Sequence, residues 1–161
     1  MLSLIDPITI MDLQPIDIPS CDWGNEGPTP AALEAMVNRS AIDNTVRVLA
    51  GYTSDSEVAV VGAIDFLSPY RPEIQMIATK PTERKKGYAT AILKALEAEA
   101  IRRSVPSVQL SVDPLNLQAH HLYSALGYEH SHERMDGRWE LGASGAPEWT
   151  EDPIIVMIKL L

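Results

Sequence analysis

Within about thirty residues the apolar pattern of this chain changes period. EIQMIAT, Glu73 to Thr79, has the composition of a strand, and Pro81 stops it from pairing further. YATAILKALEAEAIR, Tyr88 to Arg102, instead sets Ala91, Ile92, Ala95, Leu96 and Ala98 or Glu99 on consecutive helical turns with charges opposite. A strand that runs into a helix through a short loop restricts the chain to folds that layer helices on a sheet. The alternation continues downstream: SVQLSVD reads as a buried strand, and NLQAHHLYSALGY reads as a helix capped by Asn116 and ended by Gly127 in the left-handed region. YEHSHERM then leads into a long loop holding glycines, Trp139 and Trp149, and IIVMIKLL is a last strand.

Upstream, NTVRVLAGY and VAVVGAIDFL flank the turn TSDSE, so Thr45 to Leu67 reads as a hairpin. Thr29 and Pro30 open a helix that runs to about Arg39 with Leu33, Met36 and Val37 as its apolar stripe. Ile8 to Leu13 is a short strand, and DLQPIDIPSCDWGNEGP has too many breakers for a good helix. The order is strand-rich early and strand, helix, strand, helix, strand late. That predicts an α/β (α+β) protein with a mixed sheet and helices packed on its faces. At 161 residues, one domain spanning the whole chain is expected.

Composition removes several function classes. A hydrophobic content of 45% with 22% charged residues is that of a soluble folded protein. The formal charge of −9 disfavours non-specific nucleic-acid binding, which depends on cations that neutralise phosphates. No apolar run approaches the roughly 20 residues that cross a bilayer, and MLSLIDPITIMDL has no basic start before a signal-like core, so a cytoplasmic protein without membrane partners is expected. Cys21 is the one cysteine; SCDWGN supplies neither a metal-ligand spacing nor the base and orienting partner that a nucleophilic thiol needs. No metal is expected.

RKKGYAT, Arg84 to Thr90, concentrates three cations in this acidic chain and follows them with a glycine and a helix start. Unpaired N–H groups and the helix dipole both favour an anion at such a turn. Gly87 lets a phosphate approach the backbone, the small Ala89 keeps the next turn open, and Arg84, Lys85 and Lys86 can add charge-assisted bonds. A solvated basic turn would use the same residues.

RKKGYA resembles the [RQ]-x-x-G-x-[GA] pattern of the GNAT superfamily of N-acetyltransferases, where that segment is the acetyl-coenzyme A pyrophosphate loop. VDPLNLQAHHLYSALGYE is similar to the family's strand, Asn-x-x-Ala helix and Leu-Tyr-x-x-x-Gly-Tyr ending, in the right order downstream. The hairpin and IIVMIKLL look like its second, third and final strands. The resemblance is strong from about Thr45 to Tyr128, and about the first 28 residues diverge. It implies the GNAT fold, a central mixed and mostly antiparallel sheet of about six to seven strands with helices on both faces. It also implies transfer of an acetyl group from acetyl-CoA to an amine by direct attack in a ternary complex, with acetyl-CoA as cosubstrate.

By the same resemblance, backbone groups of Ile77, Ala78 and Thr79 would bind the pantetheine arm, with the Ile77 N–H placed to polarise the thioester carbonyl. Arg84, Lys85, Lys86, Gly87, Tyr88, Ala89 and Thr90 would hold the pyrophosphate, and Asn116 would contact the cofactor arm. Tyr123 would protonate the departing thiolate, although a tyrosine on an amphipathic helix also serves as core packing with its hydroxyl at the rim. Ala89 stands where a second glycine is more frequent. Family members carry two helices between the first two strands that help form the acceptor pocket, and the breakers here leave the acceptor open.

The amine must attack in its neutral form. For a lysine-like amine this costs about 4 kcal/mol near neutral pH, so a base is useful. Glu73, at the start of the strand that leads to the loop, is the first candidate, with an exposed edge carboxylate beside Arg71 as the alternative. Asp65 is the reserve. His120 and His121 lie beside the second motif, and His130 and His132 alternate on a strand and so share a face. Trp139 and Trp149 are pocket walls, loop anchors or a homodimer contact. An acyltransferase, a non-catalytic acyl-CoA-binding or regulatory module, and a structural domain with a merely charged turn are the readings that remain. The acceptor is an amine of undetermined identity.

Overall fold

A computed structural model describes residues 7–161, so the first six residues of the stretch read for an export signal lie outside the described residues. The chain divides into two compact units, one running to Val108 and also taking Leu161, the other spanning Gln109–Leu160. In the first unit β1 (Thr9–Asp12), β2 (Val46–Tyr52), β3 (Val58–Asp65) and β4 (Glu73–Thr79) lie side by side in that order, each antiparallel to the next. Its helices are α1 (Pro30–Asp43) and α2 (Tyr88–Arg102). The boundary falls inside β5 (Ser107–Val112). The second unit continues with α3 (Leu117–Ala125), β6 (Glu129–Leu141) and β7 (Pro147–Leu160), and β7 lies between β5 and β6.

Strand alternation in β2 sorts the first unit into layers. Val46, Val48 and Ala50 pack in one cluster with Leu33 and Met36 of α1, whereas the intervening Arg47 reaches Glu99 of α2 at 2.7 Å. The two helices therefore cover opposite faces of this sheet. Ile92, Leu93 and Leu96 of α2 are fully buried, which contributes about 1.5–3 kcal/mol for each side chain. Gly62 of β3 makes that approach feasible: a Cβ there would lie 2.6 Å from both Ile77 Cδ1 and Ile92 Cγ2.

Local signals account for most boundaries. Thr29 Oγ1 accepts the Ala32 N–H at 3.1 Å and starts α1, which runs past the expected end at Arg39 to Asp43. Asn44 ends it in the left-handed region, where Arg103 donates to the Asn44 carbonyl at 2.7 Å. The proline-rich segment forms two 3-10 turns, Pro15–Cys21 and Gly24–Glu26, in keeping with its breakers. Tyr52 ties it to the sheet by donating to Asp17 Oδ2 at 3.0 Å while accepting from Gln14 N at 3.2 Å. Cys21 is fully buried in this layer.

The second unit corrects one expectation. The residues read as a long loop before the last strand form the outer part of a hairpin, β6 paired with β7 from Glu129↔Ile158 to Leu141↔Pro147. Trp139 and Trp149 are cross-strand partners in edge-to-face contact, with centroids 5.4 Å apart. The Trp149 ring occupies the space that a Cβ at Gly137 would need, so an aromatic covers the glycine in the strand.

Candidate active site

The segment Lys80–Gly87 joins β4 to α2 by a compact route. Lys80 N donates to Ala59 O at 2.8 Å, Pro81–Glu83 make one 3-10 turn, and Lys85 adopts a left-handed φ of 63°. Gly87 precedes α2 with φ 81°, and no side chain caps the helix. A Cβ at Gly87 would meet nothing within 4 Å, so the glycine serves conformation and open space, not packing. The N-terminal donors of α2 and this open volume suit a phosphate group. Two of the cations have carboxylate partners: Arg84 lies 3.4 Å from Glu26, and Lys86 lies 2.5 Å from Glu83. Sequence spacing does not expose either pairing; Lys85 is exposed at the turn.

Just upstream, β4 carries a β-bulge. Ala78 pairs with Val61 and Gln75 with Ala63, which leaves both Met76 and Ile77 opposite Gly62. Met76 has a φ of 59°, the left-handed value that accommodates the extra residue. The bulge therefore falls at Met76 and Ile77, where the stretch Ile77, Ala78 and Thr79 begins whose backbone is expected to serve the pantetheine arm. Next to it, Gly27 fits between the Trp23 ring and Ala78, and the buried Trp23 Nε1–H has no hydrogen-bond acceptor among the described residues.

In the second unit Asn116 and Tyr123 lie at the two ends of α3. Asn116 Oδ1 accepts the Ala119 N–H at 3.1 Å, so its oxygen caps the helix and its amide NH2 is the end available for a ligand. Tyr123 is half-buried against Tyr128, with ring centroids 6.0 Å apart, and burial raises its hydroxyl pKa above the ordinary value. Its proton is retained throughout the neutral range. The Tyr128 N–H donates to the Tyr123 carbonyl at 3.0 Å beside Gly127, whose φ of 95° closes the helix as expected.

The candidate bases separate on their partners. Asp65 is held in a two-pronged ion pair by Arg39, both bonds 2.9 Å, and also accepts Leu67 N at 2.9 Å, so both its oxygens are engaged within the fold. Glu73, paired with Asp65 across the strands, accepts a bond from Ser68 Oγ at 3.3 Å and is half-buried. Arg71 directs its Nε to Ser107 Oγ at 3.2 Å. His120 Nε2 lies 3.1 Å from the Asp113 carbonyl. A bulge between His130 and His132 pairs them with Met157 and Val156, adjacent residues that point to opposite faces, so the two histidines do not share a face. The Cys21 thiol is pushed up to about 11 by burial and donates to Asp17 O at 3.4 Å, which makes it an inert core group. No group of three or more metal-binding side chains occurs among the described residues, and none of their helices is long and apolar enough to cross a membrane.

Residues 14–128 match the model of the acetyltransferase (GNAT) family. The chain is similar in structure to the spermidine/spermine N-acetyltransferase of Vibrio cholerae, solved with manganese ions, at 20% identity and a TM-score of 0.72, covering 98% of this chain and 95% of the other. The ribosomal-protein-S18-alanine N-acetyltransferase of Escherichia coli gives 18% identity and a TM-score of 0.69 over 95% and 93%. An IAA acetyltransferase of Bacillus cereus gives 14% and 0.70 over 96% and 99%. The seven-strand mixed α/β fold is thus a shared one.

Proposed function

Because the chain belongs to the acetyltransferase (GNAT) family and is an acyltransferase, we propose that it transfers the acetyl group of acetyl-CoA to an amine by direct attack in a ternary complex. The observation that carries this is the turn before α2, where Gly87 takes a left-handed φ of 81° beneath open space at an uncapped helix start. The turn fits a pyrophosphate through backbone donors, with Lys85 adding attraction at the surface. Backbone groups of Ile77, Ala78 and Thr79 hold the pantetheine arm at the β4 bulge, and the Asn116 amide steadies it. Acetyl-CoA supplies an activated acetyl thioester. The Ile77 N–H stabilises the oxygen on which charge develops, and Tyr123 Oη holds the proton that the departing sulfur needs. A tyrosine is protonated at neutral pH, and burial, which raises the Tyr123 pKa, leaves it so. Glu73 is the carboxylate that accepts the proton of the amine, since Arg39 occupies Asp65.

The two relatives named for polyamine and protein-alanine acetylation both act on amines, and a chain of net charge −9 attracts a cationic acceptor. Thiol release from acetyl-CoA across a panel of polyamines, small amines and peptide N-termini tests the proposal. An acceptor-dependent rate is expected, lowered roughly 100-fold in Tyr123→Phe, with the acidic limb of the pH profile altered in Glu73→Gln. Acetyl-CoA binding without turnover on any amine would instead establish a non-catalytic module. An unchanged pH profile would remove Glu73 as the base.

A further inference from the structure

The outer half of the β6–β7 hairpin has two chemically different faces. Strand register places Met135, Trp139 and Leu141 on one face with Pro147, Trp149 and Pro153 opposite them. These residues are open to solvent: Met135 is 56% exposed, Trp139 69%, Leu141 79% and Trp149 52%. The other face carries Arg134, Asp136, Arg138 and Glu140, and Arg138 there pairs with Glu140 at 2.5 Å and with Asp152 at 2.6 Å. The charged face thus holds ion pairs of its own around Arg138 and belongs in water. The apolar face is not covered, because every residue of β6 is exposed.

An isolated two-stranded hairpin is marginal in water and gains stability when its apolar face is packed. We propose that the same face of a second copy of this chain covers it, so that two hairpins meet Trp139 and Trp149 against Trp139 and Trp149 about a two-fold axis. An apolar surface complements itself, and an isologous contact needs nothing more than one such patch on each copy. The area suffices. With a whole aromatic side chain presenting about 150–250 Å², the exposed parts of these side chains amount to roughly 500 Å² per copy. Two copies then bury about 1,000 Å² before any rim is counted, the size at which specific contacts begin.

A cationic partner is the competing occupant, because Glu151 also lies on this face, opposite Gly137. Its Oε1 already accepts the Trp149 Nε1–H at 2.8 Å, which engages the carboxylate within the hairpin. The two occupants predict opposite responses. With a second copy, Glu151 is a charge taken out of water at a cost, and two chains of net charge −9 repel, so both Glu151→Gln and added salt tighten the association. With a cationic partner, both weaken it.

Sedimentation equilibrium on the whole chain, from about 1 to 100 µM, decides between them. The expected result is a monomer–dimer equilibrium that tightens between about 0.05 and 0.5 M salt and in Glu151→Gln. Leu141→Lys and Met135→Lys, which change exposed side chains and leave the tryptophan pair in place, should each weaken the dimer by roughly 10-fold or more. The near-ultraviolet circular dichroism of the tryptophan pair shows that the hairpin persists in those variants. A wild type that stays monomeric at the highest concentration, dimers that the two lysine variants leave unchanged, or association only with an added lysine-rich peptide would each overturn the proposal.

Discussion

At Gly87 two requirements coincide, a left-handed backbone and empty space where a Cβ would sit. Gly87→Val would place a β-branched residue in a region that L-residues enter at a cost of about 1–2 kcal/mol, and would fill the volume that the pyrophosphate needs. Calorimetry should show coenzyme A binding weakened by roughly 100-fold or more, whereas Lys85→Ala, which removes one screened charge, should weaken it only a few-fold. Equal losses would mean that charge and not backbone geometry holds the anion. The glycine was legible in the sequence because a strand, a loop and a helix start frame it. The carboxylates that occupy Arg84 and Lys86 were less so: Glu26 is distant in sequence, and no local pattern ties it to the turn. Tyr123 and Asn116 were legible as residues. That burial raises the Tyr123 pKa is a property of the packing around it, which spacing does not reveal.

Within α2, Glu99 is the residue that departs from the helix's simple two-faced pattern. Of the two residues that could complete its apolar stripe, Ala98 is exposed and Glu99 is buried. Hydrogen bonds from Arg102, opposed by burial and joined by Arg103 and Arg47, bring its carboxyl down to about 2. An unfolded glutamate titrates near 4.3, so this contribution is present above that pH and disappears as pH falls from about 4.5 towards 2. Urea denaturation as a function of pH should show a loss of a few kcal/mol across that window. In Glu99→Gln the protein should be less stable at neutral pH, and that part of the acid dependence should vanish. The limits of α2 could be read because a glycine opens it and its period is strong. The hairpin of β6 and β7 could not, since glycines and charges on its exposed outer half mask the alternation that marks a half-buried strand. The bulge in β4 leaves no compositional mark either: Met76 is an ordinary strand residue, and only the register with β3 shows it as the additional one.

Over the whole first unit, Cys21 reports on opening. It is fully buried, and its thiol is pushed up to about 11 by burial, so a thiol reagent at neutral pH should react only through conformations that release the 3-10 segment from α1 and the sheet. Alkylation followed by mass spectrometry should be slow in water and accelerate steeply within the urea transition. Fast reaction in native buffer would mean that the segment detaches by itself. The layered arrangement around this segment was predictable from the order of elements, while the acceptor side was not, because breakers replaced the helices by which it could have been recognised. The β4 bulge has a consequence for how such a chain can vary. In an uninterrupted strand, even and odd positions keep their sides from end to end, so the side taken by Glu73 would dictate the side taken by Thr79. One additional residue between them cancels that parity: Gln75 and Ala78, three apart, face the same side, as their partners Ala63 and Val61 do. The carboxylate end of β4 and its loop end can therefore be altered independently, and the deletion of a single residue at Met76 would invert one end relative to the other.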